Sequence, residues 1–179
     1  MVTEKLLVPV LVELGERWAN GKGSIAEEHF FAFYLRNKLG ARFHHRPHNP
    51  GGQKLLMACL PGESHETGLL VSALAANDLG FQTILLGSDL PLNELQAVAK
   101  KTNCAAIVLS GKIKPSRTTL TRDLPNLVSS LDIPVFLGGQ ISVTEHDALD
   151  KAGVHTLGTD LLSGLQQIVN KTPSNLELR

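Results

Sequence analysis

The spacing of apolar residues divides this chain into a first part of about 40 residues and a longer second part. In the first part, apolar residues recur every three or four positions, which is typical of one face of a helix; the set is Leu7, Val10, Leu11, Leu14 and Trp18. In the second part, from residue 54 onward, short apolar runs alternate with segments of helical spacing. The pattern therefore predicts a helical region followed by an α/β domain.

Two helices are expected in the first part. Gly21 and Gly23 should end the first helix. The sequence Ser-Ile-Ala-Glu at 24–27 is a capping box, in which the serine oxygen and the glutamate satisfy backbone N–H groups at the start of the second helix. That second helix is expected to end at Gly40, because glycine is common just past the end of a helix.

The first helix is apolar on nearly every side, because Val8 and Val12 widen its stripe. A helix of this kind is normally buried by several neighbours, and two helices alone cannot bury it. We therefore expect residues 1–40 to form half of a helical bundle, which a second copy of the chain or upstream helices would complete.

The second part has the alternation of a parallel α/β sheet. Residues 41–53 contain two prolines and two glycines and are predicted to be a linker. The predicted strands are then 54–60, 82–87, 104–110, 134–138 and 154–157, and the predicted helices are 66–79, 91–101, 118–131, 143–152 and 160–170. Short apolar strands separated by helices predict a five-stranded, doubly wound parallel sheet of the flavodoxin or Rossmann type in residues 54–179.

Two polar residues of this domain are predicted to begin helices. Ser142 starts a second capping-box sequence with Glu145, and Asp89 is expected to cap the helix that is entered at Pro91. Both predictions depend on local sequence alone.

Composition narrows the class of protein. The 17 basic and 17 acidic residues give a formal net charge of zero, so the electrostatic signature of a DNA-binding domain is missing. Cys59 and Cys104 lie in apolar, strand-like runs, which suits small buried side chains in a reducing compartment. No apolar run reaches the length of a membrane span and no signal peptide begins the chain, so we expect a cytoplasmic protein.

Three loops at the ends of predicted strands combine polar side chains with glycines. They contain Glu63, His65 and Gly68; Ser110, Gly111 and Lys112; and Gly138, Gly139 and Gln140. Because the carboxyl ends of parallel strands meet at one edge of the sheet, where such folds bind ligands, we expect the loops to form one site. Taken singly, the histidine could be an exposed loop residue and the glycine pair a tight turn.

The order Glu63-x-His65-x-x-Gly68, Ser110-x-Lys112 and Gly138-Gly139 resembles the Asp-x-His-x-x-Gly, Ser-x-Leu and Gly-Gly pattern of the cobalamin-binding fold. The resemblance implies that the histidine displaces the dimethylbenzimidazole tail of the cofactor and becomes the lower axial cobalt ligand, oriented by the glutamate. It also implies that serine and glycines line a slot for the displaced tail. The expected cofactor-binding residues of this domain are Glu63, His65, Glu66, Thr67, Gly68, Ser110, Gly111, Gly138 and Gly139. Glu63 replaces the usual aspartate, and Lys112 replaces leucine.

The helical part carries a second motif. Trp18, nine further residues and then Glu28-His29 resemble the Trp-x9-Glu-His motif of light-responsive, MerR-type cobalamin regulators of the CarH/LitR kind. The resemblance implies that these three residues cover the upper face of adenosylcobalamin, although a tryptophan or histidine here could equally pack within a helical core. Some of these regulators bind cobalt on both faces through a histidine that directly follows the tryptophan, and here that position is Ala19.

The two resemblances together predict a non-catalytic, cobalamin-binding sensory module of transcription regulation. Adenosylcobalamin is the favoured form, with methylcobalamin or hydroxocobalamin as alternatives. The DNA-binding region of these regulators has no counterpart in the chain, so DNA would be contacted only through a region outside it. One alternative is a corrinoid protein that carries methyl groups for a methyltransferase. Another is a doubly wound domain without a corrin, such as a nucleotide-binding module. The chain lacks the phosphate-binding Gly-x-Gly-x-x-Gly sequence, which argues against this alternative.

Overall fold

The chain divides into two compact units, Met1–Pro47 and His48–Arg179. The computed structural model describes residues 20–45 and 51–172, together with residues 13, 17, 18 and 49. The first unit contains the predicted helical region, and the second contains the sheet and its helices.

The helical unit contains helix α1 (Ile25–His44). Ser24 Oγ accepts the N–H of Glu27 at 3.2 Å, and the Glu27 carboxylate accepts the N–H of Ser24 at 2.7 Å, which confirms the predicted capping box. The predicted end at Gly40 was wrong. A single glycine costs a helix interior only about 1 kcal/mol, so α1 continues through it, and residues 41–44 are helical where a linker was predicted.

The chain turns just before α1, as the two glycines predicted. Gly21 and Gly23 have φ angles of 68° and 146°, which are unfavourable for residues with a side chain. Glu13, Arg17 and Trp18 are helical, and the rest of the predicted first helix lies outside the described residues.

The second unit is built on a five-stranded sheet in which every pair of neighbouring strands is parallel. Its strands are β1 (Lys54–Cys59), β2 (Gln82–Gly87), β3 (Ala106–Ser110), β4 (Val135–Gly138) and β5 (His155–Gly158). They lie in the order β2-β1-β3-β4-β5, which is the flavodoxin-like order of doubly wound sheets. The predicted fold class is therefore confirmed for this unit.

The register of the strands brings the ends of β1, β3 and β4 level with one another. Cys59 pairs with Ser110, and Ser110 pairs with Gly138. The two outer strands shift register at their carboxyl ends, at Gly87 in β2 and Gly158 in β5, and both glycines have positive φ angles, of 76° and 73°. The loops that follow the strands therefore begin at nearly the same height along the sheet edge.

The strands are connected by helices close to the predicted segments. These helices are α2 (Thr67–Asp78), α3 (Leu92–Thr102), a π-helical turn (Thr119–Asp123) that continues as α4 (Leu124–Ser129), α5 (Gln140–Thr144), α6 (His146–Lys151) and α7 (Leu161–Lys171). The single helix predicted over 143–152 is instead the two short helices α5 and α6, which are separated at Glu145.

Two predicted helix caps were wrong. Ser142 lies inside α5, and its hydroxyl donates to the carbonyl of Gly139 at 2.6 Å, because α5 already begins after that glycine. Asp89 has a left-handed φ of 58° and does not cap α3, whose N-cap residue is Pro91. In both cases the backbone of a tight loop at the strand end sets the start of the helix.

The core lies where the central strands meet the helices. Leu56, Leu109 and Leu137, one from each of β1, β3 and β4, are fully buried and pack in one cluster with Leu95 of α3 and Leu124 of α4. Burial of large aliphatic side chains contributes about 1.5–3 kcal/mol each, so this cluster holds the strand ends in place. Within the part of the chain that the structure describes, no helix has the length and apolar character of a membrane span.

Candidate functional site

The loop after β1 presents the imidazole of His65 at the carboxyl edge of the sheet. Its Nδ1 lies 2.5 Å from Glu63 Oε1, and the side chain is 49% exposed. A carboxylate partner places the imidazole proton on Nδ1, which leaves the lone pair of Nε2 for a metal. Among the described residues, Nε2 has no hydrogen-bond partner. The ring is therefore held in the tautomer and orientation of a metal ligand.

The carboxylate of Glu63 is buried and is held from both sides. Its Oε1 also accepts the backbone N–H of His65 at 2.8 Å, while Oε2 accepts the N–H groups of Lys112 at 2.6 Å and Ile113 at 2.9 Å. Burial raises the pKa of this carboxyl, but the backbone hydrogen bonds and the His65 ring outweigh it and lower the pKa to about 2. Glu63 therefore stays ionised. The bond from Lys112 comes from its backbone, so replacing the motif's leucine does not disturb it.

Gly68 and Ser110 face each other across the first two loops. A Cβ atom built on Gly68 would lie 3.7 Å from Ser110 Oγ, so any longer side chain would cover the hydroxyl. Ser110 is the last residue of β3, and its carbonyl accepts the N–H of Leu60 at 2.9 Å. The absence of a side chain at Gly68 thus keeps the serine hydroxyl open toward the sheet edge.

The second and third loops touch backbone to backbone. The N–H of Gly111 donates to Gly138 at 3.1 Å, and Gly139 has a φ of 96°. A Cβ on Gly139 would lie only 2.5 Å from the Gly111 carbonyl oxygen, and a Cβ on Gly111 would lie 2.9 Å from Leu60 Cδ1. Only glycine fits at position 139, whereas a side chain at position 111 would require Leu60 to shift. The loops predicted to converge are therefore brought together.

Glu66 and Thr67 stand at the start of α2, where the structure adds a residue that the sequence analysis did not identify. Glu66 Oε1 accepts both the backbone N–H and the hydroxyl of Ser88, each at 3.0 Å. Ser88 follows β2 directly. The signal for it was present, because Gly87-Ser88 is a further glycine-polar pair at the carboxyl end of a predicted strand.

The residues of the second motif lie in the helical unit. Trp18 packs on Phe31, with ring centroids 5.9 Å apart and an interplanar angle of 58°. The two rings line an open cavity of about 610 Å³ with Arg17, Lys22, Gly23, Ala26, Glu27 and Phe30. His29 is exposed on α1 and is not one of the residues that line this cavity. Glu28 lies beside it on the same helix. The structure therefore places the tryptophan with aromatic partners rather than with His29.

The cysteine closest to the site is not a reactive group. Burial, together with the negative charges of Glu66, Glu63 and Asp89, raises the pKa of the Cys59 thiol to about 12. A protonated, buried thiol is a poor metal ligand and a poor nucleophile. The imidazole of His65 is therefore the better donor at the end of β1.

Comparison with known proteins finds a family match and curated relatives. Residues 2–42 match the family described as the B12 binding domain. The HTH-type transcriptional repressor CarH of Myxococcus xanthus is 31% identical over 159 residues, which cover 85% of this chain and 51% of CarH. The repressor CarA of the same organism is 31% identical over 104 residues, which cover 58% of this chain and 34% of CarA. The chain thus spans about half the length of CarH.

Solved structures share the fold. A cobalamin-binding protein from Desulfitobacterium hafniense DCB-2 superposes with a TM-score of 0.58 at 21% identity, covering 89% of this chain and 77% of that one. The monomethylamine corrinoid protein of Methanosarcina barkeri gives a TM-score of 0.68 at 12% identity, covering 87% of this chain and 76% of that one. At these identities the likeness concerns architecture alone.

These findings describe two parts of the chain: residues 2–42 match the B12 binding domain family, and the second unit has a flavodoxin-like α/β sheet. Over most of its length the chain is similar to the transcriptional repressor CarH, and over more than half of it to CarA. The resemblance drawn from the sequence motifs is thereby confirmed.

Proposed function

We propose that this chain binds cobalamin at the carboxyl edge of its sheet, with Nε2 of His65 as the lower axial ligand of cobalt. The observation that carries the proposal is the His65–Glu63 pair. A buried, ionised carboxylate holds Nδ1, and Nε2 of a half-exposed ring remains available. A ligand oriented in this way by a hydrogen-bonded carboxylate is the usual arrangement around protein-bound metals.

The residues around this imidazole fit such a cofactor. Gly68, Ser110, Gly138 and Gly139 form a cradle, in which a side chain at Gly139 would collide with backbone and one at Gly68 would lie against the serine hydroxyl. A displaced nucleotide tail could lie against these glycines and accept or donate a hydrogen bond at the hydroxyl. When bound, cobalamin would supply a cobalt ion that the imidazole could ligate. The chain itself binds the tail, orients one axial donor and keeps Glu63 ionised beside it.

We further propose that the module is sensory and regulatory rather than catalytic, and that it binds the adenosyl form of cobalamin. The relation to CarH and CarA, both transcriptional repressors by name, supports a role in transcription regulation. Trp18, Glu28 and His29 would cover the upper face of the cofactor, and light would release the adenosyl group. Assembly into an oligomer would then involve a second copy of the chain.

A second candidate is a corrinoid carrier that serves a methyltransferase. The fold shared with the monomethylamine corrinoid protein favours it, because the same sheet and loops would serve either purpose. The two candidates differ at the upper face, since a methyl carrier must open that face to a partner enzyme. Adenosylcobalamin binding with a response to light would therefore favour the regulator.

The test is reconstitution with adenosylcobalamin in the dark, followed by absorption spectra and sedimentation before and after green light. We expect tight binding and the spectrum of histidine-ligated cobalamin in the dark. On illumination, both the absorption spectrum and the sedimentation should change. The His65→Ala variant should lose the histidine-ligated spectrum. His146→Ala is the matched control, because His146 is an exposed histidine that pairs with Thr156. Absence of binding, or a spectrum unaffected by His65→Ala, would refute the ligand assignment. Binding without any response to light would favour the second candidate, the corrinoid carrier.

A further inference from the structure

Two glutamates flank His65, and each binds the loop of a different neighbouring strand. Strand β1 lies between β2 and β3 in the sheet. Glu63 accepts backbone N–H groups from the loop after β3, and Glu66 accepts the N–H and hydroxyl of Ser88 in the loop after β2. The loop that carries the imidazole is therefore anchored to both neighbouring strands, through two glutamates that are three residues apart. The anchor through Glu63 acts on the ring directly, whereas the anchor through Glu66 acts on the backbone.

The geometry at the end of β2 is specific to this second anchor. The pairing of β1 with β2 shifts between Met57 and Ala58, so that Gly87 lies opposite Ala58. Gly87 has a φ of 76°, and a Cβ built on it would lie 2.7 Å from Glu66 Oε1. The carboxylate therefore packs directly on the bare backbone of the shifted strand. The same turn directs the N–H and hydroxyl of Ser88 to one oxygen.

Glu66 is also the N-cap residue of α2, yet its side chain makes no capping hydrogen bond to that helix. Instead it extends to Ser88, while its own backbone N–H donates to Ser64 at 3.1 Å. The residue next to the imidazole thus joins three elements, which are the loop, α2 and the end of β2. Loss of this connection would allow the loop to take several conformations, and only some would present the ring toward a ligand.

We propose that Glu66 and Ser88 form a positioning pair that holds the loop of His65 against β2 and so determines how much of the bound cobalamin is ligated by the imidazole. This inference rests on the proposed function. It gives Glu66 a role inside the protein, where the sequence motif suggested a contact with the cofactor, and it gives Ser88 a role for the first time. Supporting contacts of metal ligands typically contribute about 10- to 100-fold to affinity.

The test compares Glu66→Ala, Ser88→Ala and the double variant, with hydroxocobalamin as the probe. We expect each single variant to bind about tenfold more weakly and to lose histidine-ligated absorption. The double variant should be no weaker than Glu66→Ala, because both changes break the same link. Glu66→Gln should retain most of the binding, since an amide oxygen can accept both Ser88 donors. Ser129→Ala, which removes a hydroxyl that donates to Asn126 in α4, is the matched control.

A measurement without cofactor separates this inference from the proposed function. The backbone N–H of His65 donates to Glu63 at 2.8 Å, so its hydrogen exchange reports on the loop. We expect exchange about tenfold faster in Ser88→Ala and Glu66→Ala, with melting temperatures close to that of the control. Unchanged exchange, or singles whose effects on binding add in full, would overturn the positioning pair. Failure of the parent chain to bind cobalamin, with exchange altered as expected, would refute only the proposed function.

Discussion

Replacing Glu63 by glutamine tests the central contact of the site without changing its size. Glu63 is 1% exposed, and the two oxygens of its carboxylate accept hydrogen bonds on opposite sides, from His65 and from Lys112 with Ile113. A glutamine has one oxygen and one NH₂ group. Whichever way the amide is turned, its NH₂ group must face backbone N–H donors. The variant therefore loses hydrogen bonds to a charged acceptor and leaves buried donors unpaired.

The expected cost follows from these contacts. A hydrogen bond to a charged group contributes about 1.5–3 kcal/mol, and an unpaired buried donor costs about 1–3 kcal/mol. We expect Glu63→Gln to lower the free energy of unfolding by about 3 kcal/mol at pH 7. For a chain of this length, that corresponds to a fall in Tm of about 6–12 °C.

The effect should also depend on pH. The folded-state pKa of Glu63 is about 2, below its ordinary value of 4.5, so its ionised form contributes stability above about pH 4.5 that is lost as the pH falls toward 2. Urea unfolding at pH 7 and pH 3 would measure the difference between parent and variant, which should shrink at pH 3. Glu145→Gln is the control, because that carboxylate pairs with the exposed Lys114 and should cost less than about 1 kcal/mol. Equal losses for both variants, or a Glu63→Gln loss unaffected by pH, would refute the reasoning.

Three further predictions concern other parts of the chain. Gly139→Ala should destabilise the α/β unit by about 2 kcal/mol or more in urea unfolding and abolish cobalamin binding, because its Cβ would lie 2.5 Å from a carbonyl oxygen. Gly62→Ala is the control: Gly62 has a φ of 82° and open space around it, so the change should cost only about 1 kcal/mol of strain. Cys59, with a pKa raised to about 12, should resist iodoacetamide at pH 8 until the protein unfolds, as mass spectrometry would show; rapid labelling of the native chain would contradict this. Ser24→Ala should lower helical stability by about 1 kcal/mol by circular dichroism, and an unchanged melting curve would count against the capping box.

The sheet could be predicted because its strands are short apolar runs, of which the central three are buried on both faces. In β1 (Lys54–Cys59) five of the six residues are buried, which is typical of a central strand in a parallel sheet. The convergence of the His65, Ser110 and Gly138 loops then followed from the geometry of parallel strands alone. Local composition was sufficient because the fold leaves little choice at these positions.

Local sequence did not predict the structure where long-range backbone contacts override local preference. Asp89 is of a residue type that is common at helix N-caps, but the turn after β2 holds it in a left-handed conformation. Ser142 resembled a cap, but Gly139 packs on the neighbouring loop and starts α5 earlier. The glycine-polar pair Gly87-Ser88 marks the end of β2, but the sequence does not link it to Glu66, because the two partners are 22 residues apart.

The close contact between Gly139 and the Gly111 carbonyl has a consequence for how this unit can be altered. Where backbones meet without side chains between them, an inserted residue has no space, so the carboxyl edge should be conserved in length. The opposite edge differs, since the turn at Asn103 is exposed and has a φ of 51°. New termini or an inserted fluorescent reporter should therefore be accepted at such turns. The unit could in this way be opened at one edge while its binding edge stays intact.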